Sequence, residues 1–343
     1  MFSREPRVVV ISASGTKDDA GIDKVLEVDA VYTATFSPAA SINIKRVLPK
    51  DAVVLGAPHS QFIRRAGICF SLNLRGAVAK DLAEAARKRC SETSEGLSPR
   101  EWRAIGHSTR SIVVNRVLFD DLTRLATVSV LAAAICSDDA LSAEFIVADF
   151  GGDRRDLYRR FRVNSLKSTA SVKSQAPSLR QAVDFVMRRA GMQNPGMTPF
   201  MRGLSYFQRS LEYGWRDEAA RLIWSVAAIE ALLKKPSETG SGLLTTRLVA
   251  ALGSQDKDIA NKFRELHKFR SKYVHRSLDI PIIVAEDHAM PNVKSPSFLL
   301  GEREMVGLSH DIARCLIRRM ILLNRDELKF ATRLVEQDHQ NEV

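Results

Sequence analysis

The sequence predicts an α+β protein, with a mixed α/β domain over residues 1–163, a serine-rich linker over 164–178 and an all-α helical bundle over 179–343. Three observations carry this. Short β-branched runs broken by turn residues fill the first third. The segment Asn164 to Ser178 holds five serines and no strong apolar period. Beyond it, apolar residues recur at helical spacing almost to the C-terminus.

In chain order, Arg7 to Ser12, Val28 to Phe36 and Ala52 to Leu55 read as strands, and Leu141 to Phe150 as a later one. Gly76 to Cys90 changes to helical spacing through Val78, Leu82 and Ala86, and Arg116 to Cys136 is a longer apolar helix. Ala13-Ser14-Gly15-Thr16-Lys17 lacks the first glycine of a phosphate loop and reads as a turn. In the second half, helices are expected over Leu179 to Ala190, Pro199 to Tyr213, Asp217 to Lys234, Leu243 to Leu252, Ile259 to His275 and Glu304 to Glu336. Ile312, Leu316, Met320 and Leu323 of the last helix stand at core spacing. Asp279 to Gly301, with three prolines, is a long irregular crossing.

The chain has 343 residues, 45% hydrophobic and 27% charged, which is the composition of a globular protein with material for two domains. Its net charge of +11 favours a polyanionic partner. The four cysteines form no Cys-x-x-Cys pair, which argues against a zinc site or a disulfide framework and fits a reducing cytoplasm. No signal-peptide pattern and no apolar run long enough for a bilayer are found, so secretion and membrane insertion are not expected.

Two segments concentrate positive charge. Between Gly151 and Arg180 eight Lys/Arg face two Asp, with Arg154, Arg155, Arg159 and Arg160 gathered around Tyr158 and Phe161. Such a cluster either tracks a single-stranded backbone while its rings stack on bases, or is a solvated face with its aromatics docked on the protein. From Lys257 to Arg276 seven Lys/Arg face two carboxylates. Here Arg270 and His275 pair a permanent, fork-shaped cation with the one side chain able to give and take a proton near neutrality.

On a continuous helix those two residues point about 140° apart. They meet over one phosphate if the guanidinium wraps round the helix, if the helix ends before His275, or if a second copy supplies the missing partner. His267, Ser271 and His275 share a face, and Lys268 and Lys272 extend the positive surface. The alternative is structural: Arg270 pairs with a carboxylate and His275 caps a helix C-terminus. Glu230 interrupts the apolar series Leu222, Val226, Ile229 and Leu233, and a carboxylate there must find a cation. A functional pairing would join it to Arg270 or use it to orient His275. A scaffold pairing with Arg247 or Lys234 is the favoured expectation, since structural ion pairs are common.

The segment from Phe263 to His275 resembles the Arg-x4-6-His signature of the HEPN superfamily, most closely its ApeA-like branch. Upstream, Leu222 to Leu233 with its Glu-Ala-Leu-Leu ending, and Leu243 to Gly253 centred on Arg247, are similar to two further helices of that family in the same order. The resemblance implies a helical bundle that dimerises through the motif helices and, in active members, a metal-independent endoribonuclease of the defence or toxin type with no cofactor. It makes Arg270 the phosphate clamp and His275 the general acid or base; from the residues themselves, Ser271, Lys272, His267 and Glu230 are expected to support them and Lys268 to bind nucleic acid. Active members often carry Asn, Asp or His after the arginine; this chain has Ser271, whose hydroxyl can donate to a phosphate oxygen. The implied partners are RNA, a second copy of the chain and an antitoxin or regulatory protein. The competing expectation is a HEPN-type module that binds RNA or a partner without cutting.

Overall fold

The computed structural model describes residues 7–12, 40–47, 67–74, 124–138, 141–149, 162–164, 172, 174–190, 198–213, 218–234, 241–252, 257–274 and 298–330. Among the described residues five strands, β1 (Arg7–Ser12), β2 (Ala40–Val47), β3 (Gly67–Leu74), β4 (Ser142–Asp149) and β5 (Arg162–Asn164), pair in the order β2-β3-β1-β4-β5. Every pairing is antiparallel, and the register between β1 and β4 shifts at Val8/Val9. β1 and β4 fall on runs expected to be strands, whereas Val28 to Phe36 and Ala52 to Leu55 lie outside the described residues, as does the helix expected over Gly76 to Cys90. β2, β3 and β5 fall on no expected strand, although Ile68, Phe70, Leu72 and Leu74 of β3 alternate at a two-residue period.

The helices are α1 (124–136), α2 (Leu179–Ala190), α3 (Pro199–Tyr213), α4 (Glu218–Leu233), α5 (Ser241–Leu252), α6 (Lys257–Val274) and α7 (Phe298–Leu322). Residues 174–330, where described, form an all-helical bundle. Local chemistry sets several of its helix ends. The Ser178 backbone N–H donates to Gln181 Oε1 at 3.0 Å and the Gln181 N–H to Ser178 Oγ at 3.2 Å, a reciprocal capping box that starts α2. Thr198 Oγ1 accepts from the Met201 N–H at 3.2 Å, and Pro199 fills the first helical position of α3, where a missing N–H costs nothing.

The last helix ends earlier than its apolar spacing suggests. α7 stops at Leu322 instead of Glu336, because Asn324 takes φ 53° and closes the terminus: its N–H reaches the Ile321 carbonyl, and the Arg325 N–H reaches that of Met320, both at 3.0 Å. Asparagine tolerates the left-handed conformation that this Schellman closure needs. The chain then turns back. Asp326 accepts from the Phe200 N–H through its carbonyl and pairs with Arg189 through its carboxylate. Leu323, expected in the core, therefore stands beyond the helix and is 46% exposed.

α1 and α7 supply the largest shares of the described core. Ile312, Leu316 and Met320 are fully buried, and α7 is enclosed on all sides from Val306 to Arg318, as a helix must be when it lies at the centre of a bundle. Phe185 and Phe200 meet edge-on at 4.7 Å, and Phe207 stacks on His310 at 4.9 Å. Burying each phenylalanine contributes about 1.5–3 kcal/mol. α1 shares this core through Leu125, Leu131 and Ile135. Val172 and Pro177, in the segment expected to be a linker, are buried as well.

Two arginines of α7 hold α1 in place. The last carbonyls of a helix have no partner within it and carry partial negative charge. Arg314 donates to the Ser137 carbonyl at 2.9 Å and Arg318 to that of Ile135 at 2.5 Å. Asp311 balances Arg314 at 2.5 Å and Asp138 pairs with Arg318 at 2.9 Å, so two buried cations are spent on one helix end with carboxylates beside them. No described helix is long and apolar enough to cross a membrane.

Candidate phosphate-binding site at Glu230, His267 and Arg270

The phase of α6 explains where Arg270 goes. Ile259, Phe263 and Leu266 form its buried stripe, and Arg270 follows Phe263 at i+7, on the same side of the helix. Arg264, Glu265 and Lys268 lie on the opposite, exposed side, where Arg264 donates to Asn261 at 2.6 Å. Arg270 thus faces the bundle at the margin of its apolar packing, with His267 beside it.

Both residues converge on Glu230 of α4. Oε1 of Glu230 lies 3.2 Å from Nε2 of His267 and 3.4 Å from Nη1 of Arg270. The favoured scaffold pairing of Glu230 with Arg247 or Lys234 gives way to this arrangement: Arg247 donates to the Leu233 carbonyl at 2.8 Å and lies 5.3 Å from the Phe330 ring. Glu230, His267 and Arg270 are 21%, 24% and 29% exposed, so the cluster is partly desolvated yet open to a ligand. Buried Nε of Arg270 has no hydrogen-bond partner. That is an exception among buried polar groups.

The geometry orients a histidine and an arginine through one carboxylate oxygen. With Nε2 of His267 committed to Glu230, Nδ1 is the ring nitrogen left for proton transfer. Glu230 tethers one arm of the Arg270 fork. Ser271 is half-buried one position on, and Lys268 projects to solvent. Lys272 lies on the helix, but its side chain is outside the described part. His275, Arg154, Arg155, Arg159 and Arg160 also lie outside the described residues, as does the crossing from Asp279 as far as residue 297.

Sequence reasoning passed over a second group. Tyr206 of α3 and Trp224 of α4 stack with centroids 5.7 Å apart and planes at 28°, and the Arg209 guanidinium lies 5.3 Å from the Trp224 centroid. The spacing of Arg202, Tyr206 and Arg209 at i, i+4 and i+7 signals a shared stripe, but the partnership with Trp224 depends on how α3 meets α4. Comparison of the chain with protein family models, curated proteins and solved structures finds no match.

Proposed function

We propose that the protein is a HEPN-like, metal-independent endoribonuclease of the defence or toxin type. The observation that carries this reading is the single Glu230 oxygen shared by His267 and Arg270 at the foot of a strongly basic helix. In the proposed reaction His275 takes the proton of a ribose 2′-hydroxyl and the freed oxygen attacks the adjacent phosphorus. Arg270 stabilises the charge that builds on the non-bridging oxygens. The bond to the 5′-oxygen breaks, and a second histidine, either His267 presented by Glu230 or one from a partner copy, protonates that oxygen. The products are a 2′,3′-cyclic phosphate and a 5′-hydroxyl, and the need for a 2′-hydroxyl selects RNA over DNA. A two-fold dimer through α6 would bring two such motifs to one cleft.

Purified protein should cut RNA in excess EDTA and leave 2′,3′-cyclic phosphate ends. Arg270→Ala and His275→Ala should each lower the rate by about 10²-fold or more, the scale set by one positioned acid or base. Both variants should also relieve growth arrest caused by expressing the wild type. Equal cleavage by wild type and Arg270→Ala would refute the assignment. A second reading is favoured by Glu230 neutralising Arg270 within the subunit and by Ser271 after the arginine. In it the same face binds RNA without cutting, and salt-sensitive binding with no cleavage would identify it.

A further inference from the structure

We propose that Tyr206, Trp224 and Arg209 form a stacking platform for an unpaired RNA base, a subsite separate from Arg270; this rests on the reading of the protein as RNA-directed. The core face of α3 is Phe200, Leu204, Phe207 and Leu211, all at most 4% exposed. Tyr206 lies at the margin of that face, half-buried against the core and stacked on Trp224 across the helix seam. Arg209 is exposed and lays a planar cation over the Trp224 ring. Two nearly parallel rings with a guanidinium over one of them build a flat cationic stack on which a further flat, electron-rich plate can be laid, and every nucleobase is one.

The surroundings suit a single strand. On the outward side of α3 the exposed Arg209 carries positive charge, which complements a phosphate backbone. The half-exposed arc of α4 has Trp224 at one margin and Glu230 at the other, with Ala220, Ala227, Ala231 and the larger Ile223 between. Small side chains let a strand lie close to the helix. Six residues separate the margins, about 9 Å along the axis, so a strand crossing this arc could reach from the platform to the Arg270 cluster.

The test is equilibrium binding of the full chain to a 2′-O-methyl oligoadenylate, which lacks the attacking hydroxyl, and to an abasic oligomer of equal length and charge. The wild type should prefer the oligoadenylate. Trp224→Leu should lose about tenfold on it, within the range one stacked base contributes, and lose nothing on the abasic strand. Trp224→Phe should retain most of the preference, with unchanged helical circular dichroism in both variants. Arg270→Ala should keep the preference for bases even where cleavage is gone, so the platform and the cleavage reading fail separately. Equal binding of both oligomers by the wild type, or an equal loss on both with Trp224→Leu, would overturn the proposal. An effect of Trp224→Leu confined to self-association would reassign the face to protein contact and overturn it too.

Discussion

Gly203 of α3 lies where that helix meets α4, and a methyl group there should destabilise the protein even though alanine is the better helix former. A Cβ at Gly203 would lie 2.5 Å from both Cγ and Cδ2 of Leu232, which is itself 2% exposed. Carbon atoms rest at about 3.5–4.0 Å, so the seam must open by about 1 Å. Overpacking of this kind costs about 1–3 kcal/mol, and the clash with a buried branch point belongs at the upper end. Helix propensity returns about 1 kcal/mol. Gly203→Ala is therefore expected to lose about 1–2 kcal/mol, read as a lower urea midpoint of the helical circular dichroism at unchanged slope. Leu232→Ala alone should cost about 2–5 kcal/mol. In that background the overlap is gone, and adding Gly203→Ala should raise stability by about 1 kcal/mol. This reversal of sign gives a coupling of about 2–3 kcal/mol between the two sites. The same sign in both backgrounds would refute the packing argument.

Two further outcomes concern buried groups of α7. Asp311→Leu strands Arg314 in the core and should cost about 3–5 kcal/mol, whereas Arg318→Met removes the cation itself and leaves a 67% exposed Asp138 hydrated, at about 2 kcal/mol; urea melts giving the reverse order would refute this account of the α1 anchor. His310 is fully buried with neither ring nitrogen hydrogen-bonded, and burial, then Arg314 and Arg221, push its pKa well below the ordinary histidine value. The folded protein keeps it neutral while the unfolded chain protonates near 6.5, so its contribution is fully present above that pH and falls by about 1.4 kcal/mol per unit below it. Stability measured from pH 7 to 5 should decline less steeply in His310→Phe, and identical slopes would refute the assignment.

Much of the bundle was legible because its signals are local. α2 and α3 match their expected bounds at both ends, since Ser178 with Gln181 and Thr198 with Pro199 set where they begin. The phase of α6 was equally calculable: helical geometry alone puts Arg270 on the stripe of Phe263. The early end of α7 was not legible by spacing, because apolar periodicity continues to Leu323 while the closure at Asn324 belongs to a chain reversal tied to Arg189 and Phe200.

By itself, then, the sequence determined where most of the described helices lie, which face of α6 carries the arginine and that Glu230 must meet a cation. Only the tertiary structure decided that His267 and Arg270 are its partners, that Arg314 and Arg318 grip the end of α1, and that Tyr206 finds Trp224. Helix phase follows from neighbours a few residues apart. The partner of a buried charge or ring depends on which helices pack together, and that is decided by the fit of whole surfaces.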